Sequence, residues 1–302
     1  MSSSGGAKAI VAAFVANLGI AVAKLVGFAI TGSSSMLAES IHSLADTGNQ
    51  GLLLLGRKRS RRTADEAHPF GYGRERFFWA FVVALVLFSL GSLFALFEGY
   101  EKIVHPHEVE SPLIAIVILA VAIGLESFSM RTALQEARPL RQGTSLFRFV
   151  RTTKVPELPV VMLEDFGALV GLVIAFVALL LTWQVDDVFD GIGTMIIGLL
   201  LGAIAVLLAI EMKSLLIGEA ASPDDLDAIR GAIASDADVS HLIHIRTEHL
   251  GAEEILVAAK VGLNPGLDLP AVASAIDRVE ASIRAAVPSA RLIYLEPDLY
   301  RR

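Results

Sequence analysis

The 302-residue chain has no cysteine, few aromatic residues (7%) and few charged ones (19%). Without cysteine there are no disulfides, thiolate-bound zinc ions, iron–sulfur clusters or cysteine nucleophiles. A basic excess is also missing. The formal net charge is −7, which removes the electrostatic footprint of a nucleic-acid binder. A soluble domain carries about 25% charged residues, so the shortfall is large. Apolar residues replace them, at 54% of the chain and a mean hydropathy of +0.62. They are clumped rather than spread. Residues 1–218 hold 17 basic and 18 acidic groups, whereas 219–302 hold 8 and 14, so nearly all the net charge lies in a C-terminal segment of ordinary composition. The pattern is that of a membrane protein with a soluble tail. It contains no internal repeat and no low-complexity segment.

A membrane-crossing helix needs about 20 apolar residues. Six stretches qualify, at about 9–30, 36–56, 77–97, 112–130, 159–183 and 188–210. The first follows the leader MSSSGGAK and reads as a mature helix rather than a signal peptide, because no small-residue cleavage site follows a short apolar region. Orientation follows from the basic residues of the short loops. Between spans two and three lie Arg57, Lys58, Arg59, Arg61, Arg62, Arg74 and Arg76. Between spans four and five lie Arg131, Arg138, Arg141, Arg148, Arg151 and Lys154. The opposite side has only Lys102, so both termini are expected in the cytoplasm. Topology alone accounts for the run RKRSRR at 57–62.

The tail reads as a small α/β unit. Ser222-Pro223-Asp224-Asp225 is a helix start, with a capping serine, a first-turn proline and acids at the positive helix end. Residues 240–250 and 253–264 are strand-like, Asp268 opens a helix to about 286, and 290–296 form a last strand. The order is αββαβ.

A charge near the bilayer centre costs about 2.5–3.5 kcal/mol on insertion scales, so each one needs a reason. Span two carries Glu39, His42 and Asp46, and the last two, four residues apart, share one helix face. Span five carries the adjacent acids Glu164 and Asp165, which point about 100° apart. Oxygen and nitrogen ligands on two neighbouring helices suit a divalent cation: imidazole favours zinc-like metals, and an all-oxygen set favours Mn, Mg or Ca. Hydrogen bonds or ion pairs within the bundle are the other use of such groups.

The stretch NLGIAVAKLVGFAITGSSSMLAESIHSLADTGNQ (17–50), followed by HPFGYGRERF (68–77), resembles the cation diffusion facilitator family over essentially the whole chain. Together with PVVMLEDFGALVGL it is most similar to the zinc transporter nine-like branch. The resemblance implies an α-helical membrane protein: a six-transmembrane-helix bundle (1–213) plus a cytoplasmic α+β C-terminal dimerisation domain (214–302) of αββαβ, ferredoxin-like or metallochaperone-like fold. It implies proton-driven efflux of divalent metal from the cytoplasm by a homodimer in the cell (inner) membrane, with metal and protons as cargo and no cofactor. Zinc comes first among the metals, with Mn, Fe, Co and Cd as alternatives. The family's central ligands fall on His42, Asp46 and Asp165, and the fourth falls on Val161, which cannot ligate. Glu164 is the natural substitute; its alternatives are to face the dimer or to pair with Lys24. Asn17 and Gln50 line the path or pack. In the family's loop site Asp65 and His68 match, and Tyr72 replaces the second histidine, so His68 can instead order the loop. The tail's metal positions fall near Ile243, Ala259, Ala273 and Tyr294, and only Glu296 stays acidic. His241, His244 and His249 are present but form no ready chelate, and His105 and His107 flank a proline in the opposite loop. Two other classes stand beside transport. One is a transport-inactive membrane partner subunit, which Val161 makes credible. The other is an intramembrane metalloenzyme, against which stands the absence of any His-Glu-x-x-His pair.

Overall fold

The computed structural model describes residues 34–106, 112–141 and 145–299, and the helical positions 10, 11, 14, 15, 17–19, 21–23, 25, 26 and 29. The expected first span, 9–30, therefore lies in part outside the described residues. The described chain forms two compact units. One comprises the chain up to Arg59 together with Glu75–Lys213, and the other comprises Ser60–Arg74 together with Ser214–Arg302.

The first unit is helical. Helix α1 covers Ser34–Arg59, and its last turn carries Arg57, Lys58 and Arg59 against the negative end of the helix. Helix α2 runs from Glu75 to Val104 with a π-helical stretch, Leu87–Ser92, in its middle. Helix α3 is Pro112–Arg141, α5 is Glu157–Gln184 and α6 is Val188–Ile217. Between α3 and α5 sits a seven-residue helix, α4 (Leu146–Thr152), which the hydropathy pattern leaves as loop. Ser145 caps it by accepting from the Arg148 backbone N–H at 3.3 Å.

Four described helical segments are long and apolar enough to cross a membrane: Glu75–Val104, Ile116–Gln135, Glu157–Gln184 and Val188–Ile217. Helix α1 has the length but not the apolarity, because Glu39, His42 and Asp46 fall within it and three basic residues close it. Helix α5 is the hub. Its buried residues run from Glu157 through Asp165 to Gly171, and it bonds to side chains of α1, α2 and α3. It also packs against α6, since a Cβ on Gly171 would lie 3.6 Å from Ile197. Helices α2 and α6 approach closely too: the Ser92 hydroxyl donates to the Gly198 carbonyl at 2.7 Å.

In the second unit, α7 (Pro223–Ala234) starts at Ser222, whose hydroxyl accepts from the Asp225 N–H at 3.1 Å. Strands β1 (Val239–Gly251) and β2 (Glu254–Leu263) pair antiparallel, and β3 (Ala290–Asp298) pairs parallel to β2, giving the order β1-β2-β3. Helix α8 (Leu269–Ala286), capped by Asp268, makes the crossover between the two parallel strands. The tail elements fall within two residues of their sequence positions. Strand β2 alternates buried and half-buried residues, and Ile255, Val257, Ala259 and Val261 meet Ile229, Ile233, Val279 and Ile283 in one core. Helices therefore cover one face of the sheet.

Residues 60–74 pack with this second unit. Gly71 makes the loop's turn at φ +78°, with its N–H on the His68 carbonyl at 2.9 Å. Gly73 lies so close to β1 that a Cβ there would stand 2.5 Å from the Leu250 carbonyl oxygen. Arg74 forms an ion pair with Glu248 on β1.

Candidate metal centre

The acids of α5 are drawn inward by long-range packing rather than by local preference. Glu164 is 9% exposed and Asp165 5%. The Asn49 side-chain amide on α1 donates to Glu164 Oε1 at 3.4 Å, and the Ser129 hydroxyl on α3 donates to Asp165 Oδ2 at 3.0 Å. The adjacent acids therefore face two different helices, as a 100° step along a helix requires. Asp46 is half-buried on α1, one turn before Asn49, and acts electrostatically on both acids. His42 lies on α1 four residues before Asp46, and its side chain lies outside the described residues, as does Lys24.

Asn49 is 3% exposed, and neither its Oδ1 nor Glu164 Oε2 meets a donor among the described residues. Buried oxygens without donors suit a cation, and oxygen ligands with at most one imidazole suit Zn, Mn or Fe. The described residues hold no group of three or more His, Asp or Glu already drawn into a metal cage. Val161, one turn before Asp165, is 2% exposed and brings only methyl groups.

Two features of this centre are absent from the sequence reading above. Glu126, half-buried on α3, acts electrostatically on Asp165, Asp46 and Glu164. The rule that every intramembrane charge needs a reason flags it, since it lies in span four. Asn49 is the second, and no local signal separates it from an ordinary packing amide. Nearer one end of α5, Arg76 of α2 grips Glu157 through two hydrogen bonds of 2.6 and 2.7 Å. Asn17 donates to Gln50 Oε1 at 3.2 Å, so these two polar groups bond to each other.

The loop candidates have their own partners. Asp65 Oδ1 accepts from the His68 backbone N–H at 2.8 Å, and Asp65 Oδ2 accepts from the Tyr72 hydroxyl at 2.6 Å. The Tyr72 hydrogen bond, helped by the His68 N–H, holds the Asp65 carboxyl below its ordinary pKa. The His68 and Tyr72 rings lie with their centroids 4.4 Å apart, tilted by 35°. In the tail, Ala259 is buried at 4% in the sheet's core while Ile243 and Tyr294 are exposed. Along β1, His241 pairs across to Gly262, His244 to Lys260 and His249 to Ile255.

The chain resembles several known proteins. Over 241 residues, 79% of this chain, it is 32% identical to the mitochondrial proton-coupled zinc antiporter SLC30A9 of Xenopus laevis. It covers 43% of that protein, so the chain spans less than half the length of this curated relative. It is 29% identical over 235 residues to metal tolerance protein C4 of Arabidopsis thaliana, covering 77% of this chain and 51% of the relative. It is 25% identical over 285 residues to the magnetosome protein MamB of Magnetospira sp. (strain QH-2), covering 94% of this chain and 92% of the relative. The model of the cation efflux transmembrane domain matches residues 10–217, about two-thirds of the chain and every helix that carries the acids above. This multi-pass membrane protein belongs to the cation efflux family.

Proposed function

We propose that the chain exports divalent metal from the cytoplasm in exchange for protons, by alternating access. The observation that carries this reading is the pair Glu164 and Asp165, buried in a membrane helix and held by donors from two others, with Asp46 in electrostatic range. An SLC30A9 relative described as a proton-coupled zinc antiporter favours zinc first, with Mn, Fe, Co and Cd behind it. Each protomer has six transmembrane helices, with both termini in the cytoplasm of an inner-membrane protein, and two protomers form the working dimer through their tails.

The ligands are His42, Asp46 and Asp165, with Glu164 in place of the side chain that Val161 lacks. Metal binds the deprotonated forms of these groups, so metal and protons compete for the same atoms. Imidazole titrates near neutral pH, which makes His42 the best-placed proton carrier. Protons arriving from the acidic side displace the ion, and the pH gradient drives the cycle. The tail sets dimer geometry rather than sensing metal, and His68 and Asp65 order their loop. A second reading rests on Val161: with one ligand position apolar, the chain would be a transport-inactive partner subunit.

Uptake of Zn, Mn, Fe, Co and Cd by inverted vesicles at two pH gradients tests both readings. His42→Ala and Asp46→Ala should each abolish gradient-driven uptake in protein that still inserts in the membrane. Wild-type flux in both variants overturns the site. A wild-type chain that moves none of the five metals belongs to the second reading.

A further inference from the structure

We propose that Glu126 of α3 is a further ligand of the transported cation, so that three helices rather than two supply its oxygens. This inference rests on the transport reading above and names a residue to which that reading gives no part.

Glu126 sits in the apolar run IAIVILAVAIGLESFS, where an uncompensated carboxylate is costly. The charged groups that act on it among the described residues are Asp165, Asp46 and Glu164, all acids. Among the described residues, its charged neighbours are therefore all of its own sign. Its position is fixed by Ser129. Residues three apart share a helix face, offset by about 4.5 Å along the axis. Because Ser129 bonds Asp165 at 3.0 Å, the face of α3 that carries Glu126 is the face turned to α5.

Donor counting points the same way. Asp46, Glu126, Glu164 and Asp165 come from three helices, and the side chains that donate to Glu164 and Asp165 among the described residues are one amide and one hydroxyl. Glu164 Oε2 and Asn49 Oδ1, both on side chains more than nine-tenths buried, meet no donor among the described residues. Acidic residues that merely pack would be met by donors or by basic side chains. Buried oxygens without donors suit a hard or borderline divalent cation, and added carboxylate oxygens favour Mn relative to zinc. Glu126 lies one turn from the Asp165 level toward the Pro112 end of α3, whereas Asn49 lies one turn from Asp46 toward the Arg59 end of α1.

Calorimetry with Mn and Zn on the full-length protein in detergent tests this, with the melting temperature measured alongside. Glutamine keeps the shape of a protonated glutamate, so Glu126→Gln should leave the metal-free melting temperature unchanged. It should weaken Mn binding at least tenfold and zinc binding less. Glu126→Asp, which keeps the charge and shortens the reach, should fall between Glu126→Gln and wild type; it decides the matter if the glutamine variant does not fold. Mn and Zn affinities within twofold of wild type in both variants overturn the role of Glu126 while Asp46→Ala still abolishes binding. Wild-type protein that binds neither metal overturns the transport reading itself, and this inference with it.

Discussion

Arg76 and Glu157 face each other inside the protein, 8% and 1% exposed, joined by two parallel hydrogen bonds of 2.6 and 2.7 Å. They belong to the first turns of α2 and α5, so one ion pair ties the ends of two membrane helices together. Its forked geometry is the bidentate pairing of a guanidinium with a carboxylate. Seven residues, about 10 Å of helix, separate Glu157 from Glu164, so the pair sets the rotation and height at which α5 offers its acids.

Removing one partner leaves the other charge buried and unmatched. Glu157→Gln and Arg76→Ala should each destabilise the protein by about 3–5 kcal/mol, read as a lower melting temperature in detergent. Arg76→Lys should also lose stability, because an ammonium cannot make both bonds. Wild-type melting in all three variants would show the pair to be incidental.

Glu164 and Val161 decide how the ion is held. If Glu164 fills the fourth position, it joins His42, Asp46 and Asp165 beside Glu126, and Glu164→Gln should weaken transport and shift the metal ranking away from Mn. Val161→His restores a nitrogen ligand one turn from Asp165 and should move the ranking toward zinc, provided the variant folds at a position only 2% exposed. Were Glu164 only a partner for Asn49, Glu164→Gln would alter stability by about 1 kcal/mol and leave the metal ranking unchanged.

The tail should not need metal to fold. Its core of Ile229, Ile233, Ile255, Val257, Val279 and Ile283 is closed by two helices on one sheet face. Residues 214–302 should therefore fold in the presence of a chelator and bind zinc only weakly. A tight stoichiometric zinc site by calorimetry on that segment would contradict this.

The tail's acid stability should depend on Asp236. Arg278 donates to its two oxygens at 2.9 and 3.0 Å and to Asp238 at 2.7 Å. Chiefly through those hydrogen bonds, the Asp236 carboxyl titrates below its ordinary range. A depressed carboxylate contributes stability that is present above its unfolded pKa of 3.8 and is lost as pH falls through the lower folded value. Asp236→Asn should thus cost about 0.2–1 kcal/mol at pH 7, the small size reflecting an exposed arginine, and flatten the loss of stability below pH 4. Urea unfolding at pH 7 and at pH 3 checks both, and an unchanged slope would remove Asp236 from the account.

Much of this architecture is local and therefore readable from the chain itself. Apolar runs long enough to span a bilayer, Ser222 before Pro223, Asp268 before Leu269 and the alternation in 254–263 all act within a few residues of their own positions. His42 and Asp46 share a face because four residues make about one turn, and Glu164 and Asp165 stand out because carboxylates are costly in lipid. Tertiary structure alone decided the partners. Asn49 meets Glu164 across 115 positions, Arg76 meets Glu157 across 81, and Ser129 meets Asp165 across 36. The loop 60–74 joins the tail because Gly73 fits against Leu250 and Arg74 meets Glu248. Helix rotation and depth set all of these contacts. Both are fixed when whole apolar faces pack together, and neither is written in any one stretch of the chain.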